Sequence, residues 1–179
     1  MESNSSLEEQ VNNVVHLVMS FSSAYCEYAV VAVWSVMENL SLNTVIKLSI
    51  LHSDIQKNQM VEFIAFFERW PNIHIDFINV QIYADKYNLP INFIKDKATC
   101  YPLLSAEIFS EESKILVLDS DIIVKKDIYS LWKTDIKDEL IAAVLDVDFN
   151  GQLMSNNRKY IKYYDKIRLK NSNHYIQAG

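Results

Sequence analysis

The residues best suited to chemistry lie in the segment KILVLDSDIIV, where Asp119 and Asp121 stand two positions apart after an apolar run. In an extended chain, side chains two positions apart point to the same side, with a backbone separation of about 6.6 Å. The two carboxylates could therefore converge on one cation. With no His or Cys close in sequence, they favour a hard ion, Mg²⁺ or Mn²⁺. Such an ion would neutralise a diphosphate and stabilise it as a leaving group.

The Asp-x-Asp pattern is short enough to arise by chance, and Asp146 and Asp148 form a second match. Alternatively, the first pair is solvated at a strand end or caps a helix. The apolar residues on both sides of it favour the metal site, because carboxylates within such a stretch need compensation. Asp54, at another strand end, is interpreted as a helix cap before Ile55 rather than as a functional residue.

The composition excludes several other kinds of site. The chain has 179 residues and only two glycines, so it cannot form a P-loop or a dinucleotide fingerprint, which need several glycines close together. A phosphorylated ligand must be held in another way, and a cation would do so. The formal net charge of -6 argues against nucleic acid as the main partner, because that partner calls for clustered Lys and Arg.

The termini and the cysteines indicate a cytoplasmic protein, either free or attached peripherally to a membrane. The polar N-terminus MESNSSLEEQ lacks the features of a signal peptide, and no apolar run is long enough to span a bilayer. Cys26 and Cys100 lack paired spacing and are expected to be reduced thiols. We expect residues 1–10 to be disordered and residues 11–179 to form one domain.

Hydrophobic periodicity predicts an α/β fold with a mostly parallel sheet flanked by helices. The predicted strands are residues 11–19, 45–51, 73–80, 114–118 and 140–145, and the predicted helices are residues 28–40, 55–70 and 99–109. Ligands of such sheets bind at the carboxyl ends of the strands. That edge would carry residues 20–23, Asp54, residues 119–121 and residues 146–148.

The segment KILVLDSDIIVKKDIYSLW resembles the signature block of family 8 glycosyltransferases, retaining enzymes with the GT-A fold that include glycogenin and bacterial lipopolysaccharide galactosyl- and glucosyltransferases. HLVMSFSSAYCEYAVVAVWSVMENL resembles their first strand, nucleotide-binding loop and first helix. LIAAVLD resembles the strand after the metal motif, and HYIQAG resembles a later block of the family. The resemblance implies the GT-A type nucleotide-diphospho-sugar transferase fold.

The resemblance also implies an activity. A hexose would pass from a UDP-sugar to a hydroxyl of a glycan or a lipopolysaccharide-core-like acceptor, with retention at the anomeric carbon. Asp119 and Asp121 would bind Mn²⁺, or Mg²⁺, and through it the diphosphate. The nucleotide would lie against Ser20, Ser22, Tyr25 and Ser120, and the sugar or acceptor would face Asp146 and Gln177.

Several positions depart from the family pattern. Ser22 stands where the family has an Asp, Pro102 where it has an Arg, and Gln177 where it has an Asn. The family also supplies a His as third metal ligand after the point where this sequence stops. We therefore expect a truncated member whose C-terminal part is missing, and which is inactive if the missing ligand is essential.

Two alternatives follow. One is a non-catalytic remnant of the family that binds a nucleotide sugar or a partner protein. The other, weaker, is a haloacid-dehalogenase-like phosphatase, which also uses an Asp-x-Asp motif. In that family a small polar pair follows the motif, whereas Ile122 and Ile123 follow it here.

Overall fold

The computed structural model describes residues 13–87, 97–137, 139–168 and 175–176. The predicted disorder of residues 1–10 lies outside these ranges. The chain divides into two compact units, Met1–Thr134 and Asp135–Gly179. The prediction of one domain over residues 11–179 stays a prediction.

The first unit alternates strands and helices, as predicted. Its strands are β1 (Asn13–Ser20), β2 (Thr44–His52), β3 (Ile73–Asn79) and β4 (Leu116–Leu118). Its helices are α1 (Cys26–Glu38), α2 (Lys57–Phe67), α3 (Gln81–Tyr87), α4 (Ser105–Ile108) and α5 (Tyr129–Trp132). Two 3-10 segments, Ser23–Tyr25 and Lys97–Leu104, precede α1 and α4. The predicted first five elements are thus confirmed, with small shifts at their ends.

The four strands form a parallel sheet in the order β3-β2-β1-β4. Alternate side chains enter two separate cores because successive residues of a strand point to opposite faces. On one face, Val15, Leu17 and Met19 of β1 pack with α1, α2 and α5. On the other, Val18 packs with Tyr101 and Leu104 of the second 3-10 segment. Both faces are therefore covered, as expected for a parallel sheet.

Two partly buried tryptophans pack against the first core. Trp34 and Trp70 meet edge to face at 5.3 Å between ring centroids. The Arg69 guanidinium lies between them, 3.8 Å from the Trp34 ring and 4.0 Å from the Trp70 ring. Cation–π contacts of this kind stabilise a half-exposed aromatic edge.

The predicted helix at residues 99–109 exists in another form. Residues Lys97–Leu104 are 3-10, and only Ser105–Ile108 are α-helical. Pro102 lies inside the 3-10 segment, where it lacks the N–H that a continuous α-helix would need.

The second unit contains α6 (Val147–Met154) and α7 (Arg158–Ile167). The prediction of a buried strand at residues 140–145 is wrong. These residues are exposed, and Leu145 makes a single antiparallel bridge to Ile176. The run LIAAVL has the composition of a strand, but a strand also needs a neighbouring strand, and among the described residues this segment has one bridge only.

No helix in the described ranges is both long enough and apolar enough to cross a bilayer.

Candidate functional site

The carboxyl edge of the sheet brings three loops of the first unit together. Met19 pairs with Leu118, so Ser20 and Asp119 are the next residues of two adjacent strands. On the other side of β1, Ser20 pairs with Leu51, which lies near the end of β2. The loops after β1, β2 and β4 therefore start side by side, at the edge where parallel α/β sheets bind ligands.

Asp119 and Asp121 project into solvent, whereas Ser120 between them is only 4% exposed. Residues 120 and 121 form a turn after β4, and the prediction that the two carboxylates share one side of the chain stays a prediction. Asp119 Oδ1 accepts a hydrogen bond of 2.8 Å from the Ser120 backbone N–H. No described residue donates to the carboxylate of Asp121. Both acids therefore keep most of their hydration until a ligand arrives.

The donor set of this pair fits a hard divalent cation that keeps several positions for other ligands. Mg²⁺ is commonly held by one or two carboxylates together with water and substrate phosphates. The described residues contain no group of three or more His, Cys, Asp or Glu that could hold a metal. A cation held by two carboxylates would keep further positions for water and for phosphate oxygens.

Helix α1 anchors the chain just after the motif. The Val124 backbone N–H donates to Ser35 Oγ at 2.8 Å, and Asn39 Nδ2 donates to the Val124 carbonyl at 3.0 Å. Ser35 is buried, and its hydroxyl donates in turn to the Ala32 carbonyl at 2.6 Å. The contacts of Val124 with α1 have no sequence signature, because they join residues more than 80 positions apart.

Three of the four predicted nucleotide-binding residues lie at the end of β1 or in the loop after it, and the fourth, Ser120, follows β4. Ser20 Oγ donates to the Ala98 carbonyl. Ser22 is half-buried, and its carbonyl accepts from the Tyr25 N–H at 2.9 Å. Tyr25 is 39% exposed, and its ring lies 5.5 Å from that of Tyr28. The Tyr25 ring is thus accessible for stacking on a planar ligand.

Asp54 does not cap α2. The cap is Gln56, which forms a reciprocal capping box with Gln59. The Asp54 carboxylate instead reaches the β1 loop, where it accepts from the Ser23 N–H at 3.1 and 3.2 Å and from Ser23 Oγ at 2.9 Å. Its charge also acts on Cys26: burial and then the negative charge of Asp54 raise the pKa of that thiol.

The position where the family pattern has Arg is enclosed by a different set of contacts. Tyr101, just before Pro102, is 2% exposed, and its hydroxyl donates to Ser53 Oγ at 2.7 Å. This hydrogen bond ties the 3-10 segment to the loop after β2. Residues 101 and 102 therefore pack beside the loop after β2, and neither side chain carries a positive charge.

The remaining predicted residues belong to the second unit. Asp146 is the N-cap of α6 and accepts from the Phe149 N–H at 2.8 Å. Phe149 stacks on Tyr175 at 3.8 Å between ring centroids. Gln177 lies outside the described residues. The roles predicted for Asp146 and Gln177 stay predictions.

Two open cavities lie elsewhere in the first unit. One of about 590 Å³ is lined by residues that follow the motif, including Lys125, Lys126 and Leu131. The other, of about 470 Å³, lies on the second face of the sheet beside Lys47, Asp76 and Glu112. Neither includes Asp119 or Asp121 in its lining.

The model of a protein family described as glycosyl transferase family 8 matches residues 16–178. The chain is 35% identical over 65 residues to the probable galacturonosyltransferase 4 of Arabidopsis thaliana, which covers 36% of this chain and 10% of that protein. It also resembles the galactosyltransferase LgtC, solved with donor and acceptor sugar analogs, with a TM-score of 0.68 and 25% identity over 92% of this chain and 56% of that chain.

The structure of the bifunctional glycosyltransferase WbbM matches with a TM-score of 0.80 and 19% identity, over 94% of this chain and 31% of that chain. This likeness concerns the fold alone. The chain spans about half the length of LgtC and less of the other two proteins. The predicted GT-A fold with a parallel, helix-flanked sheet is confirmed. Because the family model covers most of the chain, this protein belongs to glycosyl transferase family 8.

Proposed function

We propose that the protein transfers a hexose from a UDP-sugar to a hydroxyl of a glycan, with retention at the anomeric carbon and with Mn²⁺ or Mg²⁺ at Asp119 and Asp121. Membership of the family supplies the class of enzyme. The observation that carries the proposal is the pairing of Met19 with Leu118, since it starts the Ser20–Tyr25 loop and the Asp-x-Asp segment at adjacent points of the carboxyl edge.

The two loops divide the recognition of a nucleotide diphosphate between them. Tyr25 is exposed enough to stack on the base, and Ser20 and Ser22 lie on the chain that leads to it. Asp119 and Asp121 would hold the cation, with Ser120 between them bordering the nucleotide. When bound, that ion neutralises the diphosphate and favours its departure from the sugar. The exposed carboxylates and the exposed ring support this division.

The classes of donor and acceptor rest on the relatives. LgtC is a galactosyltransferase solved with donor and acceptor sugar analogs, and the plant relative is named as a probable galacturonosyltransferase. Both names support a hexose or hexose-derived donor and a carbohydrate acceptor, such as a lipopolysaccharide core. We propose that Asp146 and Gln177 face the sugar or the acceptor.

A binding-only function is the second candidate. Among the residues that the structure describes, no third His, Cys, Asp or Glu joins Asp119 and Asp121. Pro102 also offers no charge where the family pattern has an arginine. These two observations favour nucleotide-sugar binding without turnover. The match over residues 16–178 is to a glycosyltransferase family, which argues against the phosphatase alternative.

Titration of the protein with UDP, with and without Mn²⁺, tests the proposal. A one-site ligand at 100 times its dissociation constant should stabilise the fold by about 2.7 kcal/mol, measured by thermal or chemical unfolding. Stabilisation by UDP that increases in the presence of Mn²⁺ is the expected result, and the absence of any response to UDP would overturn both candidates. Release or transfer of sugar from UDP-galactose or UDP-glucose then separates the enzyme from the binding protein.

A further inference from the structure

Ser23 in the loop after β1 is held by side chains from the loop after β2 and the start of α2. Asp54 accepts from the Ser23 N–H at 3.1 and 3.2 Å and from the Ser23 hydroxyl at 2.9 Å. Gln59 Nε2 donates to the Ser23 carbonyl at 3.2 Å. The backbone donor, the backbone acceptor and the hydroxyl of one residue are thus all bound from the neighbouring βα unit. We call Asp54, Gln59 and Ser23 the loop clamp.

The clamp has its own support. Gln59 Oε1 accepts from the Gln56 N–H at 3.1 Å, which fixes the Gln59 side chain at the start of α2. Gln56 Nε2 donates to the Asp54 carbonyl at 2.9 Å. No cation among the described residues lies within ion-pair distance of the Asp54 carboxylate. The hydrogen bonds from Ser23 are therefore its main described partners, and charge-assisted hydrogen bonds are stronger than neutral ones.

The segment that the clamp holds is a short turn of a weakly stable type. Ser23–Tyr25 is a 3-10 turn of three residues, closed by the hydrogen bond from Tyr25 to Ser22. Turns of this kind have poor hydrogen-bond geometry and depend on their surroundings. Tyr25 lies at the end of the turn with a partly exposed ring. The contacts on Ser23 thus hold the turn that carries Tyr25.

We propose that Asp54 is a positioning residue that, with Gln59, holds the Ser22–Tyr25 turn in the conformation that receives the base of a nucleoside diphosphate. The inference rests on the proposed function, since it takes Tyr25 to be the residue that borders the nucleotide. A turn ordered before binding does not have to lose its conformational freedom when the ligand arrives, and affinity rises accordingly. Asp54 itself does not need to touch the ligand.

Hydrogen exchange and UDP binding test the inference together. In Asp54→Ala, the amides of residues 22–25 should exchange faster, and the dissociation constant for UDP by calorimetry should rise by about tenfold. Asp54→Asn keeps one acceptor oxygen and should lie between the wild type and Asp54→Ala. Asp85→Ala is the matched control, because Asp85 is also exposed and accepts one side-chain hydrogen bond, from Gln81.

The outcomes separate this inference from the proposed function. Wild-type protein that shows no binding of UDP would overturn the proposed function and the nucleotide role of the clamp with it. Asp54→Ala that binds UDP as tightly as the wild type would overturn the inference alone, and so would unchanged exchange at residues 22–25. If turnover is observed, KM for the UDP-sugar should rise while kcat changes little, a division that a general loss of stability would not produce.

Discussion

The two halves of the proposed donor site differ in how firmly the protein holds them. On the nucleotide side, Ser23 is bound through three of its groups by Asp54 and Gln59. On the metal side, Asp119 accepts one short-range hydrogen bond from Ser120, and both carboxylates face solvent. Charges in water interact weakly because of its high dielectric constant, so two exposed carboxylates can stay ionised without a partner from the protein. In the proposed site, the half assigned to the base is therefore held by the protein, and the half assigned to the phosphates would be completed by the ligand.

Replacement of a carboxylate should have the largest effect on this contrast. We expect Asp119→Asn or Asp121→Asn to remove the dependence of UDP affinity on Mn²⁺, with a loss of about 100-fold or more in the presence of the metal. Without metal, UDP binding should change little. Calorimetry with and without Mn²⁺ measures both quantities.

Asp148→Asn is the control for that experiment, since it alters an exposed acid of the second Asp-x-Asp match. Mn²⁺-dependent affinity that survives in both Asp119→Asn and Asp121→Asn would show that the cation is bound elsewhere.

Removal of the Tyr25 ring should have the next largest effect, and it acts on the nucleotide side of the proposed site. Stacking of a base on an aromatic side chain is worth about 1–3 kcal/mol, so Tyr25→Ala should weaken UDP at least about fivefold, with or without metal. Tyr25→Phe keeps the ring and should bind like the wild type. Equal affinity in Tyr25→Ala would mean that the base does not lie on this ring.

Ser35→Ala tests how much the hydrogen bond between α1 and the segment after the Asp-x-Asp motif contributes to metal binding. It removes the hydrogen-bond partner of the Val124 N–H, which is part-buried, and the loss of such a hydrogen bond costs about 1 kcal/mol of unfolding free energy. Chemical unfolding measures the loss, with Ser110→Ala at an exposed position as the control. We expect Mn²⁺-dependent affinity to fall more than metal-free affinity. A loss confined to metal-free UDP binding would show that the hydrogen bond between Ser35 and Val124 does not support the metal side.

The smallest predicted effect concerns pH and the sheet beneath both loops. Burial lowers the pKa of His16 from its usual 6.5, assisted by Lys47 and opposed by Glu112 and Asp76. Burial likewise lowers the pKa of His52. These two histidines therefore bind protons at a higher pH in the unfolded chain than in the folded protein. For this reason the free energy of unfolding should fall as pH drops below about 6.5 and be constant above it.

Urea unfolding at several pH values between 5 and 8 checks this slope. His16→Gln should flatten it partly, whereas His74→Gln, at an exposed position of β3, should not. Glu112, whose pKa is lowered by its hydrogen bond to Lys47, adds acid sensitivity only below about pH 4.5. An unchanged slope in His16→Gln would remove His16 as a cause.

The elements with strong periodicity could be predicted from the sequence, and the contacts between loops could not. β1, α1, β2, α2 and β3 follow apolar patterns that need only local information. The strand predicted at residues 140–145 was wrong because local composition does not reveal whether a neighbouring strand is present.

The carboxylate pair was visible because two acids interrupt an apolar run. The loop clamp was not visible, because Asp54 and Ser23 lie 31 positions apart and the nearby helix start suggested a cap instead. Helix caps have a sequence signature, whereas a carboxylate that binds the backbone of another loop has none.

The register between β1 and β4 restricts the sequence changes that the sheet can accept. Met19 and Leu118 fix the distance between the two loops at the width of one strand pair, about 4.8 Å. A one-residue insertion in β1 would turn each of its side chains to the opposite face and disrupt both cores at once. New preferences of the proposed donor site should therefore arise by substitution or lengthening within the loops, while the sheet keeps the starting points of these loops in place.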